Sequence, residues 1–212
     1  MSTIITYLFD PLCGWCYGAS PTIERLGGRD DIRLELAPTG LFSGRGARTM
    51  DSTFAAYAWS NDERIERLTG QRFTEAYRTQ VLNMPGGRFD STTATLALTA
   101  VAMTAPEHEL ATLKALQEAR YVHALDTSAV PVAAQLLRDA GLSAAAERLL
   151  ATDAELLAAN LDRIRKAQGL MQTFGAQGVP AMVVTDDRGS RLMRGDVLYG
   201  GFESLMKHLA AA

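Results

Sequence analysis

"FDPLCGWCYGASP", residues 9–21, holds both cysteines of this 212-residue chain, Cys13 and Cys16. Two thiols three positions apart can supply half of a metal site, form a structural staple, or cycle between dithiol and disulfide. The flanking residues narrow the choice. Upstream, "TIITYLF" (residues 3–9) is a β-branched and aromatic run closed by Asp10-Pro11, the pattern of a buried strand. Downstream, Trp15, Tyr17, Ile23 and Leu26 recur at helical spacing up to Gly27-Gly28, so a helix opens at the cysteines and stops at the glycines. Pro21 lies inside that helix, where it removes a backbone donor and bends the axis.

On a helix start, residues i and i+3 place their Cα atoms roughly 5 Å apart, within the range a disulfide accepts. Cys13 falls at the N-terminus, where free amides and the macrodipole favour negative charge. That effect is worth about 0.3–2 kcal/mol and brings a thiol from ~8.5 to ~7 at most. Cys13 is thereby expected to be the exposed attacking thiol, and Cys16, one turn further in, the resolving one.

Working outward, "IRLELAP" (32–38) alternates as a second strand. Residues 43–172 are rich in Ala, Leu, Glu, Arg and Gln at helical spacing, with almost no strand signal. Within this block one helix starts at Asp90-Ser91 after the turn "MPGGRFD". A second lines up Leu110, Leu113, Leu116 and Ala119, and a third opens on a capping box formed by Thr152 and Glu155. "GVPAMVVTDDRGSRLMRG" reads as a β-hairpin turning at Asp186–Gly189, and a closing helix covers about Phe202–Ala210. The order implies two β-rich ends, 1–42 and 173–212, meeting in one sheet around an inserted helical subdomain, 43–172.

A chain of this length buries an ample core without a staple. The net charge of -3 and the absence of a Lys/Arg-rich run leave no electrostatic footprint for nucleic acid or an anionic membrane. "MSTIITYLFDP" lacks the basic, long apolar pattern of a secretory signal, and no stretch is long enough to span a bilayer. The reading is a cytoplasmic protein, where a disulfide is more often catalytic than structural. Zinc needs about four ligands, and beyond the two cysteines the chain offers only scattered His108, His123 and His208, so no metal is expected.

"CGWC" after a first strand, Pro21 five residues beyond Cys16, and "GVP" before a late strand resemble the thioredoxin superfamily. "DPLCGWCYG", "GGRFDST" and "FGAQGVPAMVV", with the large helical insertion, are similar to its DsbA-like branch. The likeness is to the cytoplasmic DsbA/FrnE-type proteins related to 2-hydroxychromene-2-carboxylate isomerases and kappa-class glutathione transferases. It implies an α/β, thioredoxin-like fold with a large helical insertion, and thiol:disulfide oxidoreductase or disulfide isomerase activity through a mixed disulfide at Cys13. It also implies that Pro180 is cis after Val179 and stands beside the cysteines, with Val179, Gly14 and Trp15 facing the substrate. No cofactor is implied, with glutathione as an available co-substrate; the partners are protein or small-molecule thiols and disulfides. The oligomeric state stays open, a homodimer included.

The chain departs from these relatives in telling ways. The isomerases and transferases use a serine where Cys13 stands, which favours redox chemistry over a glutathione-dependent isomerase or transferase acting on a small aromatic substrate. A non-enzymatic redox-sensing chaperone is the third reading. Gly14-Trp15 matches neither the Gly-Pro of thioredoxins nor the Pro-His of periplasmic DsbA. For the buried acid of thioredoxins the chain offers Glu35, on the second strand, and Asp10, which also suits a turn. Trp15 and Tyr17 suit a groove wall or the core, and Phe42, Phe54, Tyr57, Trp59, Phe73 and Tyr77 read chiefly as core of the helical block.

Overall fold

The computed structural model describes residues 3–211. Its central sheet has the strand order β2-β1-β5-β6, from β1 (Thr3–Phe9), β2 (Ile32–Pro38), β5 (Ala181–Asp186) and β6 (Gly189–Arg194). β1 runs parallel to β2 with Ile5 opposite Leu34, and antiparallel to β5 with Tyr7 opposite Met182. β5 and β6 form the expected hairpin, with Asp186 opposite Gly189.

Alternation along β1 divides the core between the two faces of the sheet. Ile5, Tyr7 and Phe9, with Met182 and Val184, pack into the larger cluster that includes Cys16, Ile23 and Leu26 of α1 (Gly14–Gly27) and Phe202 and Leu205 of α9 (Phe202–Ala211). Leu8, Ala181 and Val183 face the other way, onto Ala167, Leu170 and Met171 of α8 (Ala154–Phe174). Burial on both faces explains why Ala181–Val184 is a continuous apolar run instead of an alternating one.

Between β2 and β5 lie α2 (Ser52–Thr69), α3 (Glu75–Tyr77), α4 (Thr92–Thr104), α5 (Glu109–Tyr121), α6 (Val130–Asp139) and α7 (Ser143–Ala151), followed by α8. A two-stranded ribbon, β3 (Arg48–Thr49) with β4 (Arg88–Phe89), also sits there, too short to leave a sequence signal. α4 is buried from Thr93 to Val101 and has no polar face. Two of its hydroxyls are satisfied one turn back, Thr95 donating to the Ser91 carbonyl and Thr99 to that of Thr95, while Thr93 donates to the Ser128 carbonyl.

One capping expectation holds and one shifts. At the expected Asp90-Ser91 start of α4 the Asp90 carboxylate accepts from the Thr92 amide at 3.0 Å, while Ser91 turns toward Asp10. α8 is capped by Asp153, which accepts from the Leu156 amide at 2.8 Å; Thr152 instead ends α7 in the left-handed region at φ 46°. A carboxylate one residue closer to the helix outcompetes the hydroxyl of the expected box.

Two polar ties register the helices on the sheet. Arg163 of α8 pairs with Glu109 of α5 and donates at 3.1 Å to the Leu36 carbonyl of β2. In α1, Pro21 cannot donate to the Tyr17 carbonyl four residues back; Gln71 donates to it instead at 3.2 Å, and to the Ser20 hydroxyl at 2.8 Å. Among the described residues, no helix is long and apolar enough to cross a membrane.

Candidate active site

Cys13 is the N-cap of α1. Its amide donates to the Asp10 carbonyl at 3.0 Å, and its carbonyl accepts the first bond of the helix, from Tyr17, at 3.0 Å. Both cysteines are free thiols. The expected exposure of Cys13 is corrected: it is only 6% accessible and Cys16 1%, with the segment just before β5 lying against the Cys13 sulfur. The Cys13 thiol points at the Val179 carbonyl, 3.7 Å away across 166 residues of chain. The Val179–Pro180 peptide bond is cis, and Pro180 is buried beside Gly195, where a Cβ would come within 2.1 Å of the Pro180 carbonyl oxygen. The structure thus brings Cys13, Cys16, Gly14, Trp15, Val179 and Pro180 into one region.

Burial, followed by the neighbouring Cys13 thiol, pushes the Cys16 thiol well above its ordinary range, against the opposing effect of the Asp10 backbone. Cys16 is therefore a thiol at neutral pH. Three tyrosines secure the backbone around the pair: Tyr7 donates to the Cys16 carbonyl at 3.4 Å, Tyr121 to that of Leu12 at 2.8 Å, and Tyr199 to that of Trp15 at 2.9 Å. Of these only Tyr7 left a trace in the sequence, as one residue of the buried strand expected over 3–9. Tyr121 and Tyr199 arrive from distant helical and loop segments with no local signature.

Neither acid proposed from sequence meets the pair through its carboxyl. Glu35 is half-exposed and ion-paired with Arg33 at 3.0 Å, since its position in β2 faces outward. The Asp10 carboxyl is fully buried but committed to structure, accepting from the Leu12 amide (2.9 Å), the Phe42 amide (3.0 Å) and the Ser91 hydroxyl (2.8 Å). Burial raises its pKa, and those three donors pull it back. Asp10 holds the turn before Cys13 to the helices.

Two clefts flank the thiols and share Trp15. One, of about 380 Å³, runs along Gly175–Ala181 to Arg194, Asp196 and Tyr199. The other, of about 250 Å³, is walled by Cys13, Gly14, Phe42, Phe54, Asp62, Tyr77 and Tyr121 among others. Tyr57, expected in the core, is 66% exposed at the mouth of the second cleft, whereas Tyr17 is core, stacked on Tyr121 with ring centroids 4.9 Å apart. Burial pushes Asp62 up to about 8, a site that no motif announced.

Residues 4–202 match the model of the DSBA-like thioredoxin domain. The chain belongs to that family. Among solved structures it is similar to the cytosolic disulfide reductase DsbM from Pseudomonas aeruginosa, with 28% identity, 99% of this chain and 100% of that one covered, and a TM-score of 0.86. The same reductase solved with GSH matches at 27% identity and a TM-score of 0.84, covering 98% and 97% of the two chains. A protein from Nitrosomonas europaea assigned as a disulfide isomerase shares the fold, at 22% identity and a TM-score of 0.81 over 99% and 97% of the chains. No curated protein matches. The chain has the α/β, thioredoxin-like fold of that family, with helices between β2 and β5.

Proposed function

We propose that the chain is a cytoplasmic thiol:disulfide oxidoreductase working in the reducing direction, with glutathione or a similar thiol as the source of electrons and no metal or organic cofactor. One observation carries the reading: Cys13 caps α1 with its sulfur against the Val179 carbonyl, and Cys16 lies one turn behind it with its thiol kept protonated by burial.

In this reading Cys13 attacks a substrate disulfide and becomes a mixed disulfide, releasing one substrate thiol. Cys16 loses its proton, attacks Cys13 and releases the second, leaving a Cys13–Cys16 disulfide for glutathione to reduce. Val179 and Pro180 align an extended substrate segment by backbone pairing, and the cleft along Gly175–Ala181 receives it. Similarity to a reductase named as cytosolic, and solved with GSH, supports the direction, the compartment and the co-substrate.

The test is trapping. Cys16→Ala is expected to accumulate Cys13 in mixed disulfides with glutathione and cellular proteins, identified by mass spectrometry, and Cys13→Ser to abolish disulfide reduction. Retention of exchange by Cys13→Ser would overturn the assignment.

A further inference from the structure

Asp62 is 5% exposed, on α2, and its only hydrogen bond among the described residues comes from the Tyr77 hydroxyl to Oδ2 at 3.2 Å. Oδ1 faces Gly14, the residue after Cys13: a Cβ built on Gly14 would lie 2.6 Å from it. Glycine at this position leaves the space in which the carboxyl borders the cleft on the Cys13 side.

Among the described residues the carboxyl forms no ion pair, and the cation that acts on it, drawing its pKa down against burial, is Arg120. Arg120 of α5 is 1% exposed behind the cleft wall, its guanidinium 5.7 Å from the Tyr77 ring centroid and 5.5 Å from that of Phe89. Its ion-pair partner is Asp126, at 3.8 Å. The other titratable or charged groups bordering the cleft are Tyr77 of α3, Tyr121 of α5, Tyr57 of α2, Arg48 of β3 and Cys13 itself. Burial pushes Tyr77 and Tyr121 well above their ordinary range, and the Arg48 guanidinium lies over the Phe54 ring. Asp62 is therefore the carboxyl in this cleft able to exchange a proton near neutral pH.

We propose that Asp62 is the general base and acid for the substrate thiol at Cys13, taking its proton as it attacks the Cys13–Cys16 disulfide and returning it when the thiol leaves. This deepens the proposed function and rests on it. In the forward step the S–H proton passes to Oδ1, the freed electron pair forms the bond from the substrate sulfur to Cys13, and the Cys13–Cys16 bond breaks with its pair going to Cys16. The negative charge moves from Asp62 to Cys16. In reverse, the Cys16 thiolate attacks Cys13, the substrate sulfur departs with the bonding pair, and Asp62 protonates it. A carboxyl titrating at about 8 lies close to an ordinary thiol, the match that makes proton transfer efficient in both directions.

The test separates proton transfer from packing. The oxidised protein is mixed at pH 7 with glutathione, whose aliphatic thiol is mostly protonated, or with thionitrobenzoate, an aromatic thiol already ionised. Acid-quenched mass spectrometry follows mixed-disulfide formation at Cys13. In Asp62→Asn the ratio of the glutathione rate to the thionitrobenzoate rate is expected to fall about tenfold or more. Any change in the field of the site acts on both thiolates and cancels in the ratio. Tyr77→Phe, which removes the hydrogen bond that favours the Asp62 carboxylate, lowers the ratio in the same direction by a smaller factor. An unchanged ratio in both variants overturns the proposal, whether or not the two rates fall together. Failure of the wild type to react with either thiol would overturn the proposed function, and this inference with it.

Discussion

Asp62→Asn is expected to stabilise the protein at neutral pH while impairing it. In the fold the Asp62 carboxyl titrates at about 8, against an ordinary 3.8, with burial the largest cause and the Tyr77 hydroxyl and Arg120 opposing it. The folded pKa lies above the unfolded one, so the protonated form is the one the fold favours. Its stabilising effect is complete below about pH 4 and is lost as pH rises toward 8. At pH 7 the shift of roughly three units between the unfolded pKa and the solution corresponds to about 4 kcal/mol of stability forgone. Solvent reaching Oδ1 through the open cleft reduces this, giving about 2–4 kcal/mol. Asparagine has the shape of the neutral acid, still accepts from Tyr77, and carries no such cost. Its melting temperature at pH 7 should exceed that of the wild type by roughly 4–16 °C, and the gap should nearly vanish at pH 4. Urea denaturation of both proteins at steps from pH 4 to pH 8 measures the difference directly. Parallel stability profiles would refute the reasoning, since they would mean that Asp62 ionises in the fold as freely as in the unfolded chain. A gain in stability alongside the loss in the thiol-rate ratio is the trade-off expected where a fold holds a group in a disfavoured state for its chemistry.

Two further substitutions probe how the site is held. Asp10→Ala leaves the Leu12 and Phe42 amides without their acceptor, while the Ser91 hydroxyl keeps Ser43 as a partner at 2.9 Å; at about 1–3 kcal/mol for each buried orphan, unfolding in urea should show a loss of at least about 2 kcal/mol. Gly18→Ala places a Cβ 2.6 Å from Ile65 Cγ2, on a buried β-branched side chain with little room to turn. Overpacking of about 1–3 kcal/mol outweighs the roughly 1 kcal/mol gained in helix propensity. Thermal unfolding should show a net destabilisation, and a more stable variant would mean that α1 and α2 separate without cost.

The stretch from Phe9 to Pro21 determined a large part of this protein without help. A strand that ends in Asp-Pro and a helix that begins on a cysteine are set by local propensity and by where the chain can cap. The position of Cys13 at the helix end and of Cys16 one turn on therefore followed from spacing. The same is true of the hairpin from Ala181 to Arg194, whose turn residues and apolar run are contiguous. Capping at α8 shows the limit of that local reading: Thr152 and Asp153 compete for the same amides, and only the backbone conformation decides between them.

What the tertiary structure alone decided is whatever depends on burial and on segments far apart in the chain. Glu35 and Asp62 are both acids in regular elements, and nothing in their neighbours distinguishes them. Packing turns Glu35 outward to Arg33 and shuts Asp62 against Gly14 and Tyr77, so that one is a surface ion pair and the other an acid that titrates near neutrality. Likewise the meeting of Cys13 with Val179 exists only once the two ends of the chain share one sheet, and the bonds from Tyr121 and Tyr199 to the backbone around it only once the helical block and the segment after β6 pack against that region. Sequence records which groups are present and which helix or strand holds them; a pKa and a contact across 166 residues arise from the removal of water when those elements pack.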